Sequence, residues 1–210
     1  MSELTLYGES SWTSPWVFHA MVALEEKRLP YKLEVLALPL PPAQREDLER
    51  RAMVGKVPML AHGAICITES LAISEYLAER FPAPEHPRLF PEDLAERARA
   101  RQVMSWVRTN LAALREDRPT TSILGRPVTT PLSERGKADA AELVRFATAV
   151  VRAKASMFGA WCIADADLAL ALMRLVANGD PVPPLVADYA VTQFQRPSIA
   201  KYVANFPTQR

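Results

Sequence analysis

Three short segments in the first third of the 210-residue chain carry residue types that could act together on one ligand. Ser10-Ser11-Trp12-Thr13-Ser14-Pro15 gathers hydroxyls in front of a helix-like stretch, with Ser14 in N-cap register before a proline. That placement suits two roles. The Ser14 hydroxyl can cap the helix, or it can donate to an anion attracted by the helix N-terminus, with Thr13 and Ser11 as alternative donors. Gly55-Lys56-Val57-Pro58 puts a proline where a strand begins, as a residue without a ladder donor requires. An X-Pro bond reaches the cis form for only ~0.5–1 kcal/mol. A cis Val57–Pro58 bond would turn the Val57 N–H and C=O outward, toward an extended ligand backbone. Thr68-Glu69-Ser70 stands at the entry to a further helix. Glu69 offers an acceptor for an ammonium group, and Ser70 with the neighbouring N–H groups suits a carboxylate. The pair describes a clamp for the charged end of an amino acid, and by helix rules alone it is equally a capping pair.

The elements that must hold these segments divide the chain in two. Leu4 to Tyr7 reads as a strand closed by Gly8, Pro15 to Arg28 as a helix, and Tyr31 to Leu36 as a second strand. Gln44 to Arg51 is a charged, exposed helix. Pro58 to Ala61 and Ala64 to Ile67 form a hairpin around His62-Gly63, and Thr68 to Phe81 is helical. Residues 1–81 thus read βαβ-α-ββα. The proline-rich segment of residues 82–90 is a stiff linker. Residues 91–210 are all helical. A long amphipathic helix starts with Pro91 as its first residue and ends before Pro119, and a Thr/Pro-rich loop runs from Pro119 to Pro131. Further helices cover Ser133 to about Ser156, Asp165 to Val176, Pro184 to Gln193 and Pro197 to Phe206.

Composition sets limits. Apolar residues make up 49 % and charged residues 23 %, ordinary values for a folded chain. A net charge of +1 argues against a nucleic-acid binder that works by neutralising phosphates. No apolar run approaches the ~20 residues of a membrane span, and the N-terminus carries no secretory pattern. With 7 glycines and neither GxGxxG nor GxxxxGK[ST], phosphate-cradling loops have no support. The histidines match no metal spacing, so no metal is expected. The two cysteines, Cys66 and Cys162, form no CxxC and no disulfide framework. A thioredoxin-type dithiol mechanism is therefore excluded, and a reducing, cytoplasmic location is expected. Charge also divides: residues 1–85 hold 8 Lys and Arg against 12 Asp and Glu, and residues 86–210 hold 17 against 12. Such complementarity suits a homodimer as well as incidental surface variation.

The whole chain resembles the glutathione transferase superfamily, near its serine-type zeta and theta-like classes. The motifs that carry the likeness are SPWVFHAMVALEEK from Ser14 to Lys27, GKVPML with ITESLAISEYL, and Trp161-Cys162-Ile163-Ala164-Asp165-Ala166-Asp167. The resemblance implies an α/β thioredoxin-like N-terminal domain followed by an all-α domain. It implies glutathione as co-substrate and a small electrophile or peroxide as partner, with disulfide reduction as a further activity. By the same resemblance Ser14 is the catalytic serine, Val57 pairs its backbone with the cysteinyl unit, Pro58 is a cis-proline, and Glu69 with Ser70 holds the γ-glutamyl end. Lys56 is a candidate for the glycine carboxylate. Asp165 matches a helix-capping aspartate, while Cys162 stands where the family prefers Ser or Thr, which weakens the reciprocal bond. Trp12, Trp16, Met104 and Trp106 are candidates for lining the co-substrate site or for core packing. A non-catalytic, stress-regulatory binding protein on the same fold is the alternative.

The magnitudes permit the chemistry. Lowering a thiol pKa from ~8.5 by about two units requires ~2.7 kcal/mol. One charge-assisted hydrogen bond supplies ~1.5–3 kcal/mol, and a helix N-terminus adds ~0.3–1 kcal/mol.

Overall fold

The computed structural model describes residues 3–152 and 155–207. They fall into two compact units, one running up to Leu89 and joined by Lys201–Pro207, the other spanning Phe90–Ala200.

The first unit is built on a four-stranded sheet. Strand β1 (Leu4–Glu9) leads through helix α1 (Pro15–Glu26) to β2 (Tyr31–Leu36), then α2 (Pro42–Ala52), the hairpin β3 (Met59–His62) and β4 (Ile65–Thr68), and α3 (Ser70–Arg80). The order across the sheet is β2-β1-β3-β4. β1 runs parallel to β2, and the other two pairings are antiparallel. This is the βαβ-α-ββα order expected from the sequence, with shifts at the ends. His62 closes β3, so Gly63 and Ala64 make the hairpin turn, and Gly63 supplies a positive φ of 61°.

Helix α1 departs from a simple one-sided pattern. Every residue from Val17 to Leu24 is buried, His19 included. It packs on β1 and α3, and Tyr202 of the C-terminal segment covers Phe18 with ring centroids 5.2 Å apart. Lys27 is the buried C-cap, with Arg28 outside the helix. Its ammonium donates to the Phe81 carbonyl at the end of α3. Burial, then the nearby Arg88 charge, lowers its pKa. The opposite sheet face carries α2, where Leu48, Ala52 and Met59 pack with Tyr7, Leu36, Leu40, Val57 and Cys66.

The second unit is helical: α4 (Leu94–Thr109), α5 (Ala112–Asp117), α6 (Thr120–Leu124), α7 (Glu134–Val150), α8 (Ile163–Val176) and α9 (Pro184–Phe194), followed by α10 (Pro197–Val203) at the C-terminal end. Four boundaries differ from expectation. α4 starts at Leu94 and not at Pro91, because the Asp93 carboxylate accepts from Ala95 N and Glu96 N, both at 2.9 Å, and wins the cap. The long helix breaks before Pro119, at Asn110 and Leu111. Leu111 takes a left-handed φ of 63°, and the Arg115 guanidinium fills the freed carbonyls of Val107 at 3.1 Å and Asn110 at 2.5 Å. The Thr/Pro-rich loop contains α6, whose Ser122 hydroxyl donates to Pro119 O at 2.8 Å. The helix from Ser133 ends at Val150 and does not extend to Ser156; residues 153 and 154 of that expectation lie outside the described residues.

α8 is the core of this unit, buried continuously from Ile163 to Leu172. Its two buried acids each have a charged or hydrogen-bonding partner. Asp167 pairs with Arg108 of α4. The Asp165 carboxylate accepts from Cys162 N at 2.9 Å, Met157 N at 2.9 Å, the Ser156 hydroxyl at 2.8 Å and the Tyr189 hydroxyl at 2.7 Å. Burial raises the Asp165 pKa against the pull of these donors. Asp165→Ala removes the acceptor of four buried donors; the Ser156 and Tyr189 hydroxyls keep a backbone carbonyl in reach, and the N–H groups of Cys162 and Met157 are orphaned at ~1–3 kcal/mol each. Urea denaturation should register a loss on the order of 3 kcal/mol or more, and a loss below about 1 kcal/mol would remove Asp165 from this role.

Candidate functional site

Strand register brings the three sequence segments to one end of the sheet. Tyr7 stands opposite Met59, and Met59 opposite Thr68. The C-terminal end of β1, the approach to β3 and the exit of β4 are therefore neighbours. The Ser10–Ser14 loop, Val57-Pro58 and Glu69-Ser70 leave the sheet at those three points.

The loop is organised by a residue outside the three segments. Glu9, the last residue of β1, is only 1 % exposed. Its Oε1 accepts from the backbone N–H groups of Thr13 at 2.7 Å and Ser14 at 2.8 Å. Its Oε2 accepts from Ser11 N at 2.7 Å and from the Ser11 hydroxyl. The four bonds use the four acceptor positions of a carboxylate. Ser11 Oγ lies 2.9 Å from Thr13 Oγ1. Because the Ser11 proton goes to Glu9, the Thr13 hydroxyl is the donor in that contact.

Ser14 is the exception. It is the N-cap of α1, in an extended conformation, and its Oγ accepts from Val17 N at 3.3 Å. Among the described residues no acceptor takes its hydroxyl proton. The residue is half-buried. Its carbonyl accepts from Phe18 N at 3.1 Å and from the Tyr202 hydroxyl at 3.0 Å. Burial, then the Glu9 charge, pushes the Tyr202 phenol well up, so it stays protonated and donates. Trp12 has a positive φ of 55° and lies buried edge-on to Tyr202, with centroids 5.5 Å apart.

The other two segments flank this loop. The Val57–Pro58 bond is cis, Pro58 is buried and Val57 half-buried, and the β1–β3 ladder begins one residue later at Met59. Glu69 is exposed at φ 68°, ψ 112°, and its carboxylate makes no capping bond. The capping-pair reading of Glu69 therefore fails, leaving a carboxylate held outward by a backbone conformation that costs of order 1–3 kcal/mol in a non-glycine residue. Ser70, the first residue of α3, is buried beside it. Lys56 is exposed.

Of the aromatic and methionine candidates, Trp12 and Met104 are core residues, Trp106 stacks on Phe146 with centroids 4.3 Å apart, and Trp16 lies beside His19. Cys162 is buried and Cys66 half-buried, both as free thiols. Among the described residues no group of His, Cys, Asp and Glu is arranged to hold a metal ion, and no helix is long and apolar enough to cross a membrane. Sequence reasoning missed Glu9 and Tyr202. An acidic residue closing an apolar strand just before a run of hydroxyls was a usable signal for Glu9, whereas nothing local ties Tyr202 to a loop 188 residues away.

The family model described as the glutathione S-transferase N-terminal domain matches residues 2–79, and the one described as its C-terminal domain matches residues 93–207. A probable maleylacetoacetate isomerase of Vibrio cholerae is 36 % identical over 99 residues, covering 46 % of this chain and 44 % of that protein. The chain thus spans less than half the length of that curated relative; to glutathione S-transferase T1 of Arabidopsis thaliana it is 35 % identical over 92 residues, covering 43 % of this chain and 37 % of that protein. Structural likeness extends further. A Burkholderia glutathione transferase homolog solved with bound glutathione superposes with a TM-score of 0.80 at 34 % identity, covering 97 % of this chain and 98 % of that one. A theta class enzyme from Xanthomonas axonopodis pv. citri, also with glutathione bound, gives 0.70 at 25 % identity over 97 % and 98 %. With both halves matched by its models, the chain belongs to the glutathione S-transferase family.

Proposed function

We propose that the protein is a glutathione transferase in which the Ser14 hydroxyl donates a hydrogen bond to the sulfur of bound glutathione and stabilises it as thiolate, the thiol proton leaving to solvent. The sulfur then attacks a small electrophile, forming a carbon–sulfur bond as the leaving group departs with its electron pair, or attacks a peroxide oxygen, forming a sulfur–oxygen bond as the O–O bond breaks and the other oxygen departs as alkoxide or hydroxide. The observation that carries this reading is the distribution of hydroxyl protons: Ser11 and Thr13 are committed within the loop, and Ser14 is not. In this reading the Val57 backbone and Pro58 flank the cysteinyl unit, and Glu69 with Ser70 takes the γ-glutamyl ammonium and carboxylate. Support comes from the outward, uncapped carboxylate of Glu69 and from relatives solved with glutathione. The opposite net charges of the two halves favour a homodimer, and two free thiols suit a reducing cytoplasm.

The test of Ser14 is the ultraviolet absorbance of the bound thiolate, followed against pH in wild type and Ser14→Ala. The variant should raise the thiol pKa by about two units, and kcat/KM at neutral pH should fall on the order of tenfold or more. An unmoved thiol pKa removes the hydroxyl from the mechanism.

Glu69→Ala separates binding from folding. The side chain is exposed and caps nothing, so the unfolding free energy should stay within about 0.5 kcal/mol. The glutathione Kd should rise on the order of tenfold, the equivalent of ~1.4 kcal/mol. An unchanged Kd would show that the ammonium is bound elsewhere.

A further inference from the structure

We propose that Glu9 and Tyr202 are the positioning residues of the Ser14 loop, holding its last peptide groups from two sides and thereby setting which hydroxyl proton faces the ligand. The inference rests on the reading of Ser14 given above. It starts from the peptide geometry. Glu9 takes the N–H groups of Thr13 and Ser14, and the Tyr202 hydroxyl takes the Ser14 carbonyl. The Ser14 residue is therefore gripped at its nitrogen from β1 and at its oxygen from the C-terminal segment. Its side chain, already fixed by Val17 N, has little freedom left.

Glu9 also decides which hydroxyls are spent. Glu9 consumes the Ser11 proton directly, and Thr13 donates to Ser11 in turn. Without the carboxylate both hydroxyls would be released, and three donors would compete where the loop now presents one. The two residues are themselves held in place. Glu9 is buried at the end of a paired strand, and the Tyr202 ring sits edge-on between Trp12 and Phe18, at 5.5 and 5.2 Å. The charged group next to Tyr202 in sequence, Lys201, is turned away to Glu25 at 2.7 Å. Glu9 and Tyr202 are thus the titratable groups that bear on this loop from β1 and from the C-terminal segment. Neither is placed to touch the sulfur in its own right, since their polar atoms are occupied by the loop backbone and by Ser11.

A buried carboxylate beneath a thiolate would, by charge alone, disfavour the anion. Position and charge therefore predict opposite signs, which makes the inference testable. Bound-glutathione thiolate absorbance is titrated in wild type, Ser14→Ala, Glu9→Ala and Tyr202→Phe, with circular dichroism as the check of folding. The thiol pKa should rise by about one unit in Glu9→Ala, roughly a tenfold loss of thiolate below the pKa. It should rise by a smaller but resolved amount in Tyr202→Phe, which keeps the ring packing. The glutathione Kd measured at acidic pH, where the thiol is neutral in every variant, should change less than about threefold because the clamp residues are untouched. A thiol pKa that falls or stays put in Glu9→Ala overturns the proposal in favour of a mere charge effect. Should Glu9→Ala not fold, an unmoved pKa in Tyr202→Phe overturns it on its own. If Ser14→Ala shifts the pKa and the other two do not, only this inference fails. If Ser14→Ala also leaves it unmoved, the reading of Ser14 fails with it.

Discussion

A carboxylate removed from water at the end of β1 is the constraint around which the candidate site is arranged. Burying a carboxylate costs several kcal/mol unless its oxygens are hydrogen-bonded. For Glu9 every donor comes from the five residues that follow it, so the chain must turn back over the strand end to supply them. That turn forces Trp12 to a positive φ, a conformation that non-glycine residues avoid. The strain persists because the indole is buried against Tyr202 and the peptide groups on either side are bonded. The helix start is then fixed in space. Ser14 caps it, Pro15 fills a first-turn position whose N–H would have been unpaired, and the fully buried α1 cannot rotate to another face.

The second unit uses the same device at its own core. Asp165 gathers Cys162 N, Met157 N, Ser156 and Tyr189 around the start of α8, as Glu9 gathers its loop before α1. In both cases an acid at the end of an element organises the irregular backbone beside it, and a tyrosine from a distant helix supplies a hydroxyl to the same cluster. Cys162 is consistent with this division of labour. Its sulfur is a weak acceptor, and burial pushes its thiol far up and keeps it neutral, so the Asp165 carboxylate carries the cap. The Ser or Thr expected at that position is dispensable because the acid is satisfied by so many other donors.

How much of this could be read from the chain follows from the range of the forces involved. The order of strands and helices was legible because period-2 and period-3.6 patterns, Pro15 before α1 and the turn at Gly63 are local signals. The convergence of Ser14, Val57 and Glu69 was legible only through the resemblance, since register between β1, β3 and β4 is a long-range property. Interruptions were missed where a side chain, even a nearby one, takes over groups that the backbone pattern assigns elsewhere. The break at Leu111 depends on Arg115 filling three carbonyl positions, and the start of α4 depends on an aspartate outbidding a proline two residues earlier. The burial of Lys27 was invisible because of distance, since its partner is the carbonyl of Phe81, 54 residues away. Glu69 looked like a cap because its position in sequence is that of one. Only the backbone angles show that its side chain is directed elsewhere.

The proton accounting at the loop also limits where thiolate stabilisation can come from in the proposed reaction. A helix N-terminus ordinarily offers several N–H groups to an anion. Here Pro15 has none, Val17 N is bound to Ser14 Oγ, and the N–H groups of Thr13 and Ser14 are held by Glu9. The dipole of α1 remains, worth ~0.3–1 kcal/mol, which is short of the ~2.7 kcal/mol that a two-unit shift requires. A single hydroxyl bond of ~1.5–3 kcal/mol makes up the difference. Among the groups accounted for, the Ser14 hydroxyl is thus the strong donor. A displacement of Ser14 by even a few tenths of an ångström would weaken that bond, and nothing else in the accounted set could replace it. A site built in this way places its precision in the residues that hold the loop.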